Sequence, residues 1–182
     1  MAENESDVGA GAAEIEVVGE RDVRRGMMEH ASGDFQASMD ATVVVADSTK
    51  VLRQAEGEEV QRTIQEISVG QRISAFGTLS GTTGTYTLDA SEGLVRLLVS
   101  EAEGLVSELP PGELTLDLQQ LGGTSIDRLD FGGTGSTPTA YRVDLGGLSV
   151  SGLSVGAPVV VRGFVAPFGA APPDFEAVSV SW

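Results

Sequence analysis

The sequence predicts an all-β protein made of two small β-barrels in tandem. Three observations favour this fold class: the branched apolar residues are mainly Val and Leu, 24 glycines interrupt them, and only 5% of residues are aromatic. Short β-prone runs separated by glycine-rich turns are typical of strands and tight hairpins. The 182 residues suffice for one large domain or two small ones, and either can bury a core.

Residues 1–34 are expected to form an acidic tail and loop. The first 20 residues hold six acids, no base and many small side chains, so we expect a partly disordered tail in which residues 15–18 could begin a strand. The next segment contains a local basic cluster and the only histidine of the chain, at Arg21, Arg24, Arg25 and His30. We interpret residues 21–34 as a loop or a one-turn helix.

Residues 35–92 are expected to form the first barrel. Strands are predicted for the β-branched run at 42–45, for 50–52, and for the two segments on either side of a Gly/Thr-rich reversal at 80–84. An Asp-Ser turn signal separates the first two strands. The acidic AEGEEV stretch that follows them is expected to be a loop tip.

Residues 93–182 are expected to form the second barrel. The Leu and Val spacing of 94–109 also fits a helix, but its glycines and β-branched residues favour strands. After a Pro-Pro-Gly turn at 110–112, the segment ELTLDLQQL (113–121) alternates leucines with polar residues, as a half-buried strand does. Further strands are predicted at 126–131, 140–145, 158–165 and 175–181.

An internal repeat indicates two units of about 80–90 residues each. The segment ISVGQRISAFGTL (67–79) aligns without gaps on LSVGAPVVVRGFV (153–165). Two glycine pairs match across the alignment: Gly70 with Gly156, and Gly77 with Gly163. We expect the first glycine of each unit in the turn before a strand and the second where that strand bends at a barrel corner. Chance similarity in Gly/Val-rich sequence is the alternative to duplication.

The two repeat segments resemble bacterial cell-envelope proteins of unknown function with tandem OB-like β-barrel repeats. A strand of the form β-branched-x-Gly-x-x-Val-x-Val-x-Gly recurs in that family, and VGQRISAFGTL and VGAPVVVRGFV nearly have it. The similarity covers residues 35–182, with DATVVVADSTKVL before the first segment and FVAPFGAAPPDFEAVSVSW as a closing hairpin. It implies two small OB-like (Greek-key) barrels in tandem and transfers no catalytic residues. Several members carry lipoprotein or secretion signals, which implies an exported location.

The net charge of −16 argues against phosphate-rich partners. Nucleic-acid affinity comes mostly from Lys and Arg that displace counterions, and anionic membranes also repel an acidic surface. One Trp, two Tyr and six Phe supply few platforms for stacking on single-stranded bases. No run approaches the roughly 20 apolar residues of a membrane span. We therefore expect neither nucleic-acid binding nor membrane insertion.

Few residues could support catalysis. Without cysteine, the chain has no disulfide, thiolate nucleophile or Cys-based metal site. His30 is the only imidazole, and no G-x-S-x-G elbow supplies a nucleophile beside it, so an ordinary surface histidine is expected. The Gly-rich runs at 132–139 and 77–84 lack the Gly-Lys-Ser/Thr ending of a P-loop, and we interpret them as hairpin loops.

Acidic pairs leave a calcium hypothesis open. Such pairs occur at Glu58-Glu59, Glu101 with Glu103, and Asp127 with Asp130. The D-x-[DN]-x-[DN]-G loop is missing, and Arg128 lies between the last two acids, which opposes cation binding there. Chance pairing in an acidic chain is the simpler interpretation. We predict no catalytic, cofactor-binding or metal-binding residues.

Two further features allow binding-site hypotheses. Phe76 and Phe164 lie at nearly equivalent repeat positions and could form a paired ligand site, although core filling is the expected role. The runs ATVVVA (41–46) and PVVVRGFVA (158–166) are β-prone, so either could accept a partner strand if it lay on an open edge. Burial as central strands is the expected alternative.

These observations predict a non-enzymatic binding or scaffold module of the bacterial cell envelope. We expect a protein or glycan ligand, no cofactor, and a periplasmic, outer-membrane-anchored or secreted location, with any leader outside this sequence. The alternative is a calcium-binding or metal-dependent hydrolase-like domain that uses acidic loops. An accessory domain of a larger exported protein is a third interpretation. The sequence determines neither the ligand nor the oligomeric state.

Overall fold

The protein is all-β. The computed structural model describes residues 11–19, 26–29, 38–55, 58–82 and 85–182. In chain order the strands are β1 (Gly11–Gly19), β2 (Gly26–Glu29), β3 (Ser38–Val44), β4 (Lys50–Ala55), β5 (Glu58–Arg62), β6 (Arg72–Thr82), β7 (Thr85–Leu97), β8 (Ser100–Glu108), β9 (Glu113–Leu121), β10 (Thr124–Ser125), β11 (Tyr141–Asp144), β12 (Pro158–Val165) and β13 (Phe175–Ser181). In the described ranges the helical segments are short 3-10 turns, at Ile64–Glu66, Ile126–Arg128 and Pro138–Ala140.

The second sheet contains a closed five-stranded barrel with the ring order β8-β9-β11-β13-β12. The ring is complete because β8 pairs with both β9 and β12. Strands β11 and β13 are parallel, and the other ring neighbours are antiparallel. Leu114, Leu116 and Leu118 on β9 are buried in the barrel, which confirms the predicted strand at 113–121.

The first sheet has the same strand order. Strands β1, β2, β3, β7 and β6 follow one another, and β6 pairs again with β1. Here β3 and β7 form the parallel pair, which again joins the third and fifth ring strands in chain order. The hairpin β4–β5 lies outside this ring, with β4 parallel to the last part of β7.

The two repeat segments occupy the same place in both sheets, because β6 and β12 are each the fourth strand of their ring. Gly70 and Gly156 precede these strands with φ angles of 78° and 86°, a conformation that glycine adopts without a steric cost. Gly77 and Gly163 lie at register shifts, and a Cβ on either would overlap a backbone carbonyl oxygen of the next strand. The predicted role of these glycines is therefore confirmed.

The two units have separate hydrophobic cores. They meet at an interface, which we call the seam, where Phe164 and Gln71 lie. Tyr141 and Phe175 are among the largest buried side chains of the second core, and Leu88 and Val95 belong to the first. Phe164 on β12 is 3% exposed, and it packs into the first core although its strand belongs to the second ring. Apolar packing therefore joins the two units.

A buried glutamine adds hydrogen bonds to the seam. Gln71 is 1% exposed, and its Nε2 donates to the carbonyl oxygen of Leu98 at 2.6 Å. Its Oε1 accepts the N–H of Val165, at the end of β12, at 3.0 Å. Leu98 lies in the link between the two sheets. Because a buried polar group without a partner costs about 1–3 kcal/mol, this amide favours one orientation of the two units.

The structure corrects two element predictions. The strand predicted at 126–131 is wrong, because this segment forms a 3-10 turn at Ile126–Arg128 followed by irregular chain. Asp130 Oδ1 accepts the N–H of Gly132 at 2.8 Å, a local turn that competes with strand pairing. The loop or helical turn expected for 21–34 is also wrong in part, because β2 lies there and pairs with β1 and β3.

The segment 94–109 is confirmed as strand. It contains the end of β7 and all of β8. The expected domain boundary at 92–93 falls within β7, whereas the chain passes from the first sheet to the second between Leu97 and Ser100. Of the expected acidic tail, residues 15–18 lie in β1, and residues 1–10 are outside the described ranges.

Candidate functional site

The outer face of β9 and β11 is the candidate site, because it is accessible, polar and built on paired strands. The two strands are antiparallel, with Arg142 opposite Thr115 and Asp144 opposite Glu113. Apolar and polar residues alternate along both strands. Leucine, tyrosine and valine face the barrel interior, and the polar residues between them face outward. We call the accessible outward set the polar face: Glu113, Asp117, Gln119, Arg142 and Asp144. Thr115 lies in the same outward row but is only 6% exposed.

Arg142 crosses the polar face to Glu113. Its Nη2 and Nε lie 2.6 Å and 3.1 Å from the same carboxylate oxygen, Oε2. The hydrogen bond from this guanidinium to Glu113 is the main reason why the pKa of Arg142 is raised. The pair is open to solvent, which screens the attraction, so it contributes little to stability. Its main effect is to fix a cation and a carboxylate side by side on the surface.

Asp174 is a buried residue that is hydrogen-bonded to the backbone of Arg142 and so holds the polar face in position. It is 2% exposed, and its Oδ2 accepts the backbone N–H of Arg142 at 2.6 Å. Its own N–H donates to the carbonyl oxygen of Arg142 at 2.7 Å, and the Tyr141 hydroxyl donates to its carbonyl oxygen at 3.2 Å. These bonds tie the start of β11 to the residue before β13. Asp174 therefore positions the face and is too enclosed to contact a ligand.

Burial also changes the titration of this anchor. It raises the pKa of Asp174, against the opposing effects of the Arg142 N–H and the Ser136 hydroxyl. Burial raises the pKa of Tyr141 well above its ordinary value, and the nearby Asp174 charge acts in the same direction. Perturbed acids often mark functional sites. Here the perturbation has a structural cause, namely enclosure between the strands and the loop.

Two loops border one end of the polar face. Residues 122–140 connect β9 to β11, and residues 166–174 connect β12 to β13. They lie in contact, since a Cβ at Gly135 would be 3.0 Å from the carbonyl oxygen of Ala171. Within the first loop, buried Thr134 accepts the N–H of Ser136 at 3.0 Å. The end of the face near the start of β11 is thus bordered by two loops that contact each other.

The two phenylalanines of the repeat do not form a paired surface site. Phe164 is buried in the first core beneath Arg53, whose guanidinium carbon lies 3.8 Å from the ring centroid. Phe76 is half-buried, and the guanidinium of Arg96 lies 5.1 Å from its ring. Arg53 Nη1 also lies 2.7 Å from Glu176 Oε2, and this hydrogen bond lowers the pKa of Glu176. For Phe164 the core-filling interpretation is confirmed.

The acids singled out from the sequence are dispersed over the surface. Glu101 pairs with Arg162 at 2.6 Å, and Glu59 pairs with an arginine of β7 at 3.2 Å. Asp130 accepts the N–H of Gly132. Within the described ranges, no three His, Cys, Asp or Glu side chains come together in a way that could hold a metal ion. The other two described candidates are half-buried or exposed, at Glu103 and Asp127.

The remaining sequence candidates are placed as follows. His30 and the basic cluster at 21–25 lie outside the described residues. ATVVVA overlaps β3 and PVVVRGFVA contains β12, and each of these strands has a neighbour on both sides, which confirms them as interior strands. The Gly-rich run at 132–139 is a loop as predicted. The run at 77–84 is mostly part of β6, which corrects its interpretation as a hairpin loop.

No family model, curated protein or solved structure matches this chain. The resemblance to envelope proteins therefore stays a prediction, as does the exported location that it implies. In the part of the chain that the structure describes, none of the helical segments combines the length and hydropathy of a membrane span.

The polar face and its anchor were not among the residues that the sequence singled out. The alternation in ELTLDLQQL and in YRVD predicts which side chains point outward, so Asp117 and Arg142 could have been found from that pattern. Asp174 carries no such signal, because it follows two prolines in a segment that looks like an exposed loop. Its burial depends on how that loop packs against β11.

Proposed function

We propose that the protein is a non-enzymatic binding or scaffold module of the bacterial cell envelope that holds a protein or a glycan on the polar face. The observation that carries the proposal is the face itself, in which carboxylate, amide and guanidinium groups are exposed on anchored strands. These groups donate and accept hydrogen bonds with hydroxyl and amide groups. Asp117 and Gln119 are exposed and accessible to such a ligand.

We also propose that both rings are OB-like Greek-key barrels in tandem. Support comes from the shared ring order, in which the third and fifth strands are parallel in each sheet. OB folds bind ligands on the face of their second and third strands. In the second ring these strands are β9 and β11, so the polar face lies where an OB-like barrel would bind.

The charge distribution supports a ligand other than nucleic acid. Five described arginines are in ion pairs with glutamates: Arg53, Arg62, Arg96, Arg142 and Arg162. With a net charge of −16, this arrangement leaves little positive potential for a phosphate backbone. The outward positions of β9 and β11 carry no aromatic ring for base stacking. A hydroxyl-rich glycan or a basic polypeptide fits the face better.

The proposal is tested by ¹H–¹⁵N NMR titration with soluble peptidoglycan fragments, which contain both sugar and peptide. We expect shift changes at Asp117, Gln119 and Arg142, and weaker binding by Arg142→Gln. Arg162→Gln is the matched control, because Arg162 makes a similar exposed ion pair with Glu101 on β12 and β8. Equal losses in both variants, or shifts centred away from β9 and β11, would contradict the proposal.

Two further measurements separate this function from the alternatives. A binding module should not turn over generic ester or phosphate substrates. A calcium protein should melt at a higher temperature in millimolar Ca²⁺ than in chelator, because a ligand that prefers the folded state stabilises it. We expect the same Tm in both. If peptidoglycan fragments leave the spectrum unchanged, the ligand belongs to the protein class, and crosslinking to envelope proteins is compared for the same two variants.

A further inference from the structure

Strand β5 is a free edge of the first sheet. It is the last strand in the row β3-β2-β1-β6-β7-β4-β5, and it pairs with β4 on one side. No described strand pairs with its other side. The two rings have no such edges because they close, and β10, which also lies outside a ring, is only two residues long.

This edge lacks several of the devices that prevent strand pairing. Proteins protect open edges with prolines, bulges, charged side chains (lysine above all) or very short strands. Here β5 and β4 pair at five consecutive positions without a register shift, and the sequence EEVQR contains no proline and no lysine. Its charged residues are two glutamates and one arginine, of opposite sign, so they oppose pairing only with a strand that does not complement them. Val60 at the centre is 45% exposed. The edge is therefore regular and can accept another strand.

The sequence of β5 is complementary to itself in the antiparallel direction. When two copies are aligned with Val60 opposite Val60, residue 58 lies opposite residue 62 and residue 59 opposite residue 61. This register places Glu58 beside Arg62 at both ends, Glu59 beside Gln61, and the two valines at the centre. Opposite charges across an antiparallel pair stabilise it, whereas like charges destabilise it.

We propose that two copies of the chain pair edge to edge through β5, antiparallel, about a two-fold axis at Val60. The pairing joins the two first sheets into one continuous sheet with the same surface used by both copies. In the dimer Arg62 exchanges its contact with Glu66, which is long at 3.6 Å, for one with Glu58 of the second copy; the Arg62 side chain is 35% exposed. The charge of −16 on each copy opposes association, but salt screens it over about 8 Å at physiological ionic strength.

The test is sedimentation equilibrium of the full chain over a range of concentrations at physiological ionic strength. The wild type is expected to shift from monomer to dimer as its concentration rises. Glu58→Arg places Arg opposite Arg62 twice in each dimer, and Arg62→Glu places Glu opposite Glu58 twice. Each is expected to weaken dimerisation about tenfold or more. The double variant restores opposite charges and is expected to restore the dimer.

Two exposed valines provide a matched control. Val60→Lys puts two cations on the two-fold axis and is expected to give a monomer. Val155→Lys changes a valine that is 64% exposed in a loop of the second unit, so the dimer is expected to persist. Circular dichroism and Tm establish that each variant is folded. A wild type that is monomeric at all concentrations, a dimer that survives Val60→Lys, or a double variant that stays monomeric would each overturn the proposal.

Discussion

The two sheets share a ring but differ in the connection between the third and fourth ring strands. In the first sheet this connection contains the hairpin β4–β5, whereas in the second sheet residues 145–157 form only turns between β11 and β12. The hairpin brings Arg53 over Phe164 of the second unit, and it creates the free edge at β5. One insertion in a shared scaffold thus accounts for part of the seam and for the proposed dimer.

The two repeat strands also differ in the side chain at one aligned position. Phe164 on β12 aligns with Thr78 on β6, yet the threonine is exposed while the phenylalanine is buried in the other unit's core. Equivalent backbone positions therefore face different surroundings: solvent at Thr78 and the core of the other unit at Phe164. A glycine lies at the strand bend in both units, whereas the next side chain differs and in the second unit contributes to the packing between the units.

The largest expected effect comes from this aligned pair. Phe164→Ala should lower the free energy of unfolding by about 3–5 kcal/mol, because it leaves a cavity in the first core and removes the partner of Arg53. Thr78→Ala is the control and should change it by less than about 0.5 kcal/mol. Urea denaturation followed by circular dichroism measures both. Similar losses would show that the two repeat positions do not differ as described.

The bend glycines are expected to have a smaller effect, equal in the two units. Gly77→Ala and Gly163→Ala should each cost about 2–3 kcal/mol, because the added Cβ would overlap a carbonyl oxygen of the neighbouring strand. Gly156→Ala should cost about 1 kcal/mol, because φ is +86° there but no atom is near. A large loss at only one bend glycine, in the same denaturation assay, would show that the two rings are strained differently.

The smallest effect is pH-dependent and belongs to the second unit. Because the pKa of Asp174 is raised in the folded protein, its contribution to stability is full below the ordinary value of 3.8 and is lost as pH rises through the folded pKa. Asp174→Asn removes this titration. We expect the variant to gain stability relative to wild type as pH rises above 4, with the N–H of Arg142 still hydrogen-bonded to the amide oxygen. Tm values across pH 3–8 check this; a constant difference would contradict it.

Much of the strand pattern follows from local sequence. The strand predictions at 158–165 and 175–181 agree with β12 and β13, because β-branched and aromatic residues bounded by turn residues specify an extended segment. The prediction failed at 126–131, where apolar residues mimic a strand but Asp130 forms a local turn. It also missed β2, whose pairing with β1 and β3 depends on residues distant in the chain.

The candidate site was also only partly predictable from the local sequence. The alternation of ELTLDLQQL and YRVD specifies the outward side chains of the polar face, but only the ring places those two strands next to each other. The hydrogen bond between Asp174 and Arg142 joins residues 32 positions apart, and the ion pair between Arg142 and Glu113 joins residues 29 positions apart. No local pattern encodes such distances.

By itself the sequence determined that the chain is all-β, where most strands lie, and that two Gly-bounded segments are equivalent. These properties depend on side-chain alternation and on backbone angles, which neighbouring residues control. Only the tertiary structure decided which strands close each ring, that Phe164 crosses to the other core, and that β5 is left with a free edge. Those outcomes depend on long-range packing and hydrogen bonding, in which the partner of each group is chosen by the whole fold.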